Sequence, residues 1–95
     1  MKTATLMGKK PSMDGVVQRR HYRLSEPIAA RDWPGGEASD HVIVSASVVS
    51  GVPETYIFTA DASGNIKSWV ECDGSFRGAL DHDEALRRAG YEVAP

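Results

Sequence analysis

Between Glu54 and Glu71 the chain reads Glu-Thr-Tyr-Ile-Phe-Thr-Ala-Asp-Ala-Ser-Gly-Asn-Ile-Lys-Ser-Trp-Val-Glu. Two runs rich in β-branched and aromatic residues flank Asp61-Ala62-Ser63-Gly64-Asn65, which holds four residues of turn-favouring type. The pattern predicts a β-hairpin at the centre of a small antiparallel sheet. Period-2 alternation puts Tyr56 and Phe58 on one face of its first strand and Thr55, Ile57 and Thr59 on the other. In the second strand Ile66, Ser68 and Val70 oppose Lys67 and Trp69. A hairpin with apolar groups on two faces needs cover on both, and one helix covers one face.

Three further runs supply strands. Thr3, Thr5, Leu6 and Met7 suit a short edge strand broken by Gly8-Lys9-Lys10-Pro11, because proline donates no ladder hydrogen bond. Residues 1–15 are therefore expected as a mobile segment or an edge strand, with a turn at Asp14-Gly15. Val16 to Leu24 reads as a strand ended by Pro27, its odd positions (Val17, Arg19, His21, Arg23) basic and its even positions becoming apolar. Ala29 to Asp40, with Trp33-Pro34-Gly35-Gly36 at its middle, is a connection. His41 to Ser50 is the most strand-like run and the expected central strand, closed by a turn at Gly51-Val52-Pro53.

The C-terminal part holds the one convincing helix, from Asp81 to Gly90. Asp81 is a natural N-cap, and Glu84 is spaced to complete a capping box. Arg87 and Arg88 suit the last turn and Gly90 the C′ position, while Leu80, Ala85, Leu86 and Ala89 offer a narrow apolar face. Tyr91 and Val93 follow as a short extension. The expected fold class is α+β, an antiparallel sheet of four to five strands with one C-terminal helix, in a single domain over residues 1–95.

Ninety-five residues bury about two-thirds of their unfolded surface, enough for a core, whereas a deep cleft is harder to build. The single cysteine, Cys72, rules out an internal disulfide and points to a reducing compartment. The apolar part of the first ten residues is too short for a signal peptide's core, and no run is long enough to span a bilayer. The expectation is a cytoplasmic protein without membrane insertion. Charge is split: residues 1–32 carry seven basic and three acidic groups, and residues 33–95 carry four and ten. Such a split marks either complementary surfaces within the fold or a basic edge for an acidic partner.

Chemical motifs are sparse. Asp81-His82-Asp83-Glu84 is the densest group of metal-type or acid–base side chains, and a site there needs a distant ligand such as Cys72, His21 or His41. Helix capping accounts for Asp81 and Glu84 without a metal. Cys72 with His41 or His82 resembles a nucleophile and base only in composition, since its neighbours Glu71 and Asp73 disfavour a thiolate. The Asp61–Asn65 turn lacks the acidic order and distal glutamate of a calcium loop. Phosphate-binding glycine loops, zinc-protease and nucleophile-elbow motifs are absent from the sequence. No catalytic residue, metal or cofactor is assigned, and the expected activity is non-enzymatic.

The segments His21 to Ile28, Glu54 to Phe58, Gly74 to Gly78 and Asp81 to Val93 resemble a family of small proteins of unknown function from actinobacterial phages, of mycobacteriophage type. The similarity runs from about Tyr22 to Val93 and lies in turns, caps and aromatics. It implies a phage accessory protein in the cytoplasm of the bacterial host, acting in host modulation or phage exclusion by binding a host bacterial protein. The binding residues expected from aromatic and apolar content are Trp33, Tyr56, Ile57, Trp69 and Phe76, with a homodimer through a sheet edge or face as a further mode. The alternative is a nucleic-acid-binding module using Arg19, Arg20, Tyr22 and Arg23, where a basic and aromatic strand would meet phosphates and stack a base.

Overall fold

A two-residue turn sets the centre of the sheet. Ser50 and Gly51 both have positive φ, 51° and 80°, the signature of a type I′ hairpin, whose twist matches that of the flanking strands. The computed structural model describes residues 2–11, 18–29 and 38–94. Its elements are β1 (Thr3–Pro11), β2 (Gln18–Ile28), β3 (Ser39–Val49), β4 (Val52–Ala60), β5 (Phe76–Arg77), α1 (His82–Arg88) and β6 (Glu92–Val93). The strands form one sheet of six in the order β5-β4-β3-β2-β1-β6. All pairings are antiparallel except β1 with β6. The fold is thus α+β with one short C-terminal helix, and its two extra strands are two-residue pieces.

Several expectations need correction. The tight hairpin lies at Ser50–Gly51, one residue before the expected Gly51-Val52-Pro53 turn, and Val52 and Pro53 already belong to β4. The second strand of the Glu54–Glu71 hairpin does not form; Ile66 makes an isolated bridge to Ala60 and the chain then leaves the ladder. β1 is not broken at Gly8 but continues to Pro11, absorbing the irregularity as a bulge at Met7 between the Leu6–Tyr22 and Gly8–His21 pairs. β2 runs through Pro27 to Ile28, with its register to β3 shifting after Arg23. The Asp14-Gly15 turn and the Trp33-Pro34-Gly35-Gly36 segment lie outside the described residues.

Alternation decides what each strand buries. Tyr22 and Leu24 of β2, Val42 and Val44 of β3 and Ile57 of β4 face α1, where they meet Ala85, Leu86, Cys72 and Tyr91 in one buried cluster. Tyr22 pairs with Val42 in one row across the sheet and Val44 with Ile57 in the next, so the cluster crosses from β2 to β4 on a diagonal. Tyr91 is buried, and its hydroxyl donates to the Glu26 carbonyl at 2.8 Å, tying the helix exit to β2.

The helix begins and ends on local chemistry. Asp81 is the N-cap, its carboxylate accepting the Glu84 N–H at 3.0 Å. The reciprocal half of the expected capping box is not made: the Asp81 N–H goes to the Thr55 hydroxyl at 3.1 Å, and Glu84 turns to Arg87 at 3.6 Å. At the other end Gly90 N–H reaches the Arg87 carbonyl at 3.0 Å and Tyr91 N–H reaches Leu86 at 2.9 Å, with Gly90 at φ 96°. That is a Schellman motif. Leu80 does not join the apolar face, being half exposed before the cap, and the buried positions are His82, Ala85 and Leu86.

Candidate functional site

The face of the sheet turned away from α1 is built from the opposite parity. It carries Arg19, His21 and Arg23 of β2, His41, Ile43 and Ser45 of β3, and Glu54, Tyr56 and Phe58 of β4. In register these line up as His21–Ile43–Phe58 and Arg19–Ser45–Tyr56.

The chain after β4 then folds back over this face. Asp61 drives the reversal: its carboxylate accepts the N–H groups of Ser63 and Asn65, each at 2.9 Å, and Gly64 takes φ 84°. Those bonds, the one from the Asn65 backbone first, hold the Asp61 carboxyl below its ordinary pKa. After the Lys67 N–H bonds the Thr59 carbonyl at 2.8 Å, the chain swings out and returns only at Cys72, whose N–H meets the Ile57 carbonyl at 2.8 Å. Trp69 sits on the excursion. Its indole packs edge-on against Phe58 with centroids 5.3 Å apart, and Phe58 lies 6.0 Å from Tyr56. The Arg19 guanidinium stands 5.7 Å from the Trp69 ring.

Beneath this arch lies an open pocket of about 260 Å³ lined by Arg19, Ile43, Gly64, Asn65, Ile66 and Trp69. Ile43 at its floor is 1% exposed, whereas Trp69 is 65% exposed. The arch therefore covers the aliphatic floor and leaves the largest aromatic surface open to solvent. Two polar groupings flank it. His21 Nε2 and His41 Nδ1 lie 2.9 Å apart, one ring donating and the other accepting. Buried Glu54 receives the Arg77 guanidinium at 3.0 Å and the Tyr56 hydroxyl at 2.7 Å. The Glu54 hydrogen bond raises the Tyr56 phenol above its ordinary pKa.

The expected binding residues are thus divided. Tyr56 and Trp69 share the outer face. Ile57 is fully buried against α1, and Phe76 packs beside the same cluster with the Arg88 guanidinium 4.3 Å from its ring. Both belong to the helix side, so the expectation of one binding set that joins Ile57 and Phe76 to Tyr56 and Trp69 is corrected. Trp33 lies outside the described residues. The basic strand is divided in the same way: Arg19 and Arg23 face outward, Arg20 and Tyr22 face α1. Tyr22 is 1% exposed and donates to Asp83 at 3.3 Å, so it offers no ring for a base to stack on. Phe58 and Ile43 complete the outer face, and β4 parity was the signal for Phe58, two residues after Tyr56.

The groups weighed for chemistry are occupied or enclosed. Cys72 is fully buried, His82 is buried with Nε2 3.0 Å from the Gln18 carbonyl, and Asp81 caps α1. Among the described residues no three His, Cys, Asp or Glu side chains are grouped to hold a metal ion. No helix among them is long and apolar enough to cross a membrane. Comparison with protein-family models, curated proteins and solved structures gives no match to this chain.

Proposed function

We propose that this chain is a non-enzymatic phage accessory protein that binds a host bacterial protein through the outer face of its sheet. One observation carries the reading: Trp69 is 65% exposed yet fixed in place by Phe58 and Arg19. An aromatic side chain ordered before binding loses little freedom on docking, and buried Trp, Tyr and Arg anchors dominate interface energetics. Tyr56 extends the aromatic row and Arg19 supplies charge beside it, which suits a partner patch that is apolar with an acidic margin. The phage context rests on the sequence resemblance alone.

The test is quantitative capture from actinobacterial lysate at moderate salt, with wild-type protein and the Trp69→Ala and Phe58→Ala variants side by side. Recovery of one protein at stoichiometric level by wild type, lost with Trp69→Ala, supports the reading. Equal recovery by both variants overturns it. A nuclease-sensitive catch that falls steeply with salt overturns it in favour of nucleic acid held by Arg19, Arg23 and Trp69.

A further inference from the structure

β1 is hydrogen-bonded to β2 from Ala4 to Pro11, but on its other side β6 meets only Thr3 and Ala4. Beyond the Ala94 N–H bond to the Ala4 carbonyl, at 2.8 Å, no strand among the described residues pairs the outer edge of Leu6 to Pro11. Leu6 and Met7 on this edge are 42% and 53% exposed. Where β6 stops, a groove of about 410 Å³ opens on the helix side, lined by Thr5, Leu6, Arg20, Tyr22, Asp83, Val93 and Ala94. A strand laid along β1 would drop an alternate side chain into it.

The charges on this edge are arranged against the fold's own interest. Lys9 lies directly opposite Arg20. Like charges facing across an antiparallel pair destabilise it. Among the described acidic groups, the ion-pair partner of Arg20 is Asp83, at 4.0 Å. β1 itself contains no acidic residue. A bulge, lysines and a proline are also the devices that keep a sheet edge from pairing with another copy of itself. The same devices leave the edge open to a strand of the opposite charge, because they discriminate by repulsion.

We propose that the Leu6–Pro11 edge of β1 is a docking site for an extended acidic peptide segment of a partner protein, which adds to the sheet as a further strand. Its main chain bonds the outer edge of β1; on the side facing α1 one apolar side chain enters the groove between Leu6, Tyr22 and Val93, and a carboxylate two residues along the same face meets Lys9. A second copy of this chain is disfavoured there, since its β1 carries no carboxylate to meet Lys9. This site is separate from the Trp69 face and stands without it.

The test is fluorescence anisotropy with a labelled decapeptide whose alternate positions are Thr and whose intervening positions are Val and Glu by turns, so that one face carries both, against the same peptide with Lys for Glu and a version with the Thr positions replaced by proline. The Glu–Val peptide is expected to bind with an affinity that weakens with salt, and the Lys and proline versions at least about tenfold more weakly. The Lys9→Glu protein, checked for folding by circular dichroism, binds the peptide at least about tenfold more weakly, whereas Trp69→Ala keeps it. Amide exchange at Leu6 to Lys9 slows in the complex. Equal binding of the proline peptide, loss with Trp69→Ala, or unchanged exchange at β1 overturns the proposal, as does no binding up to about 1 mM peptide.

Discussion

The hydroxyl of Thr55, in the middle of β4, accepts the backbone N–H of Asp81 at 3.1 Å and donates to the Ala79 carbonyl at 2.8 Å. One buried side chain thereby fixes both the position of the helix start and the loop that delivers it. Thr55→Val preserves shape but strands a donor and an acceptor, at an expected cost of about 1–3 kcal/mol in urea unfolding. Asp81→Ala removes the N-cap and is expected to cost about 1 kcal/mol. Because both act on the same turn, the double variant should fall short of the sum of the two. Strict additivity would mean that Thr55 does not hold the cap.

His82 sets a pH dependence. Burial first, and then Arg20, hold its pKa below the ordinary 6.5, against the opposing pull of the Gln18 carbonyl, Asp83 and Asp81. The folded state therefore binds fewer protons than the unfolded chain just below pH 6.5. Stability is complete above that value and declines as pH falls through 6.5 and on through the lower folded-state pKa. Urea midpoints measured between about pH 7.5 and 5.5 should decline in the wild type and decline less in His82→Gln. Parallel curves for the two proteins would assign the decline to other groups.

Local rules were legible where the partner lies nearby in sequence. The Asp81 cap and the Gly90 stop were readable because each is satisfied within one turn of helix. β2 parity was readable because Arg19, His21 and Arg23 all face away from α1. What failed was long-range. Ile66 to Val70 has strand composition, yet the Asx bonds of Asp61 redirect the chain, and in place of a continuous strand β4 accepts the Lys67 and Cys72 N–H groups and donates the Ile57 N–H to the Ser75 hydroxyl. β5 and β6 are two residues each and exist only because β4 and β1 have edges to offer. The arch of Trp69 over Phe58 follows from that redirection, so neither composition nor alternation shows it.

Gly74 and Gly51 separate two reasons for glycine. Both have positive φ, 105° and 80°. A Cβ on Gly51 meets nothing within 4 Å, whereas one on Gly74 falls 2.5 Å from the Ala85 carbonyl and 2.8 Å from the Ala89 Cβ. Gly51→Ala should cost about 1–2 kcal/mol, the strain of a left-handed alanine. Gly74→Ala must also push its loop off α1 and should cost about 3 kcal/mol or more. Similar losses in thermal or urea unfolding would show that the loop gives way freely.

The same separation of effects applies to Trp69, where stability and binding should part company. The indole is mostly in solvent, so Trp69→Ala forfeits an edge-on contact with Phe58 and the Arg19 stack but creates no enclosed cavity. Its expected cost to folding is about 1 kcal/mol. Ile57→Ala is the opposite case. That side chain is fully buried in the cluster beneath α1, and its truncation should cost about 2–5 kcal/mol. Partner affinity should invert the order. Removal of a fixed aromatic anchor is expected to weaken binding by about 2 kcal/mol or more. Ile57→Ala, studied where it remains folded, should bind nearly as wild type, because Ile57 does not reach the outer face. Urea unfolding paired with titration of the captured partner measures both quantities on both variants. Loss of affinity with Ile57→Ala but not with Trp69→Ala would move the interface to the helix side of the sheet, beside Phe76 and Arg88.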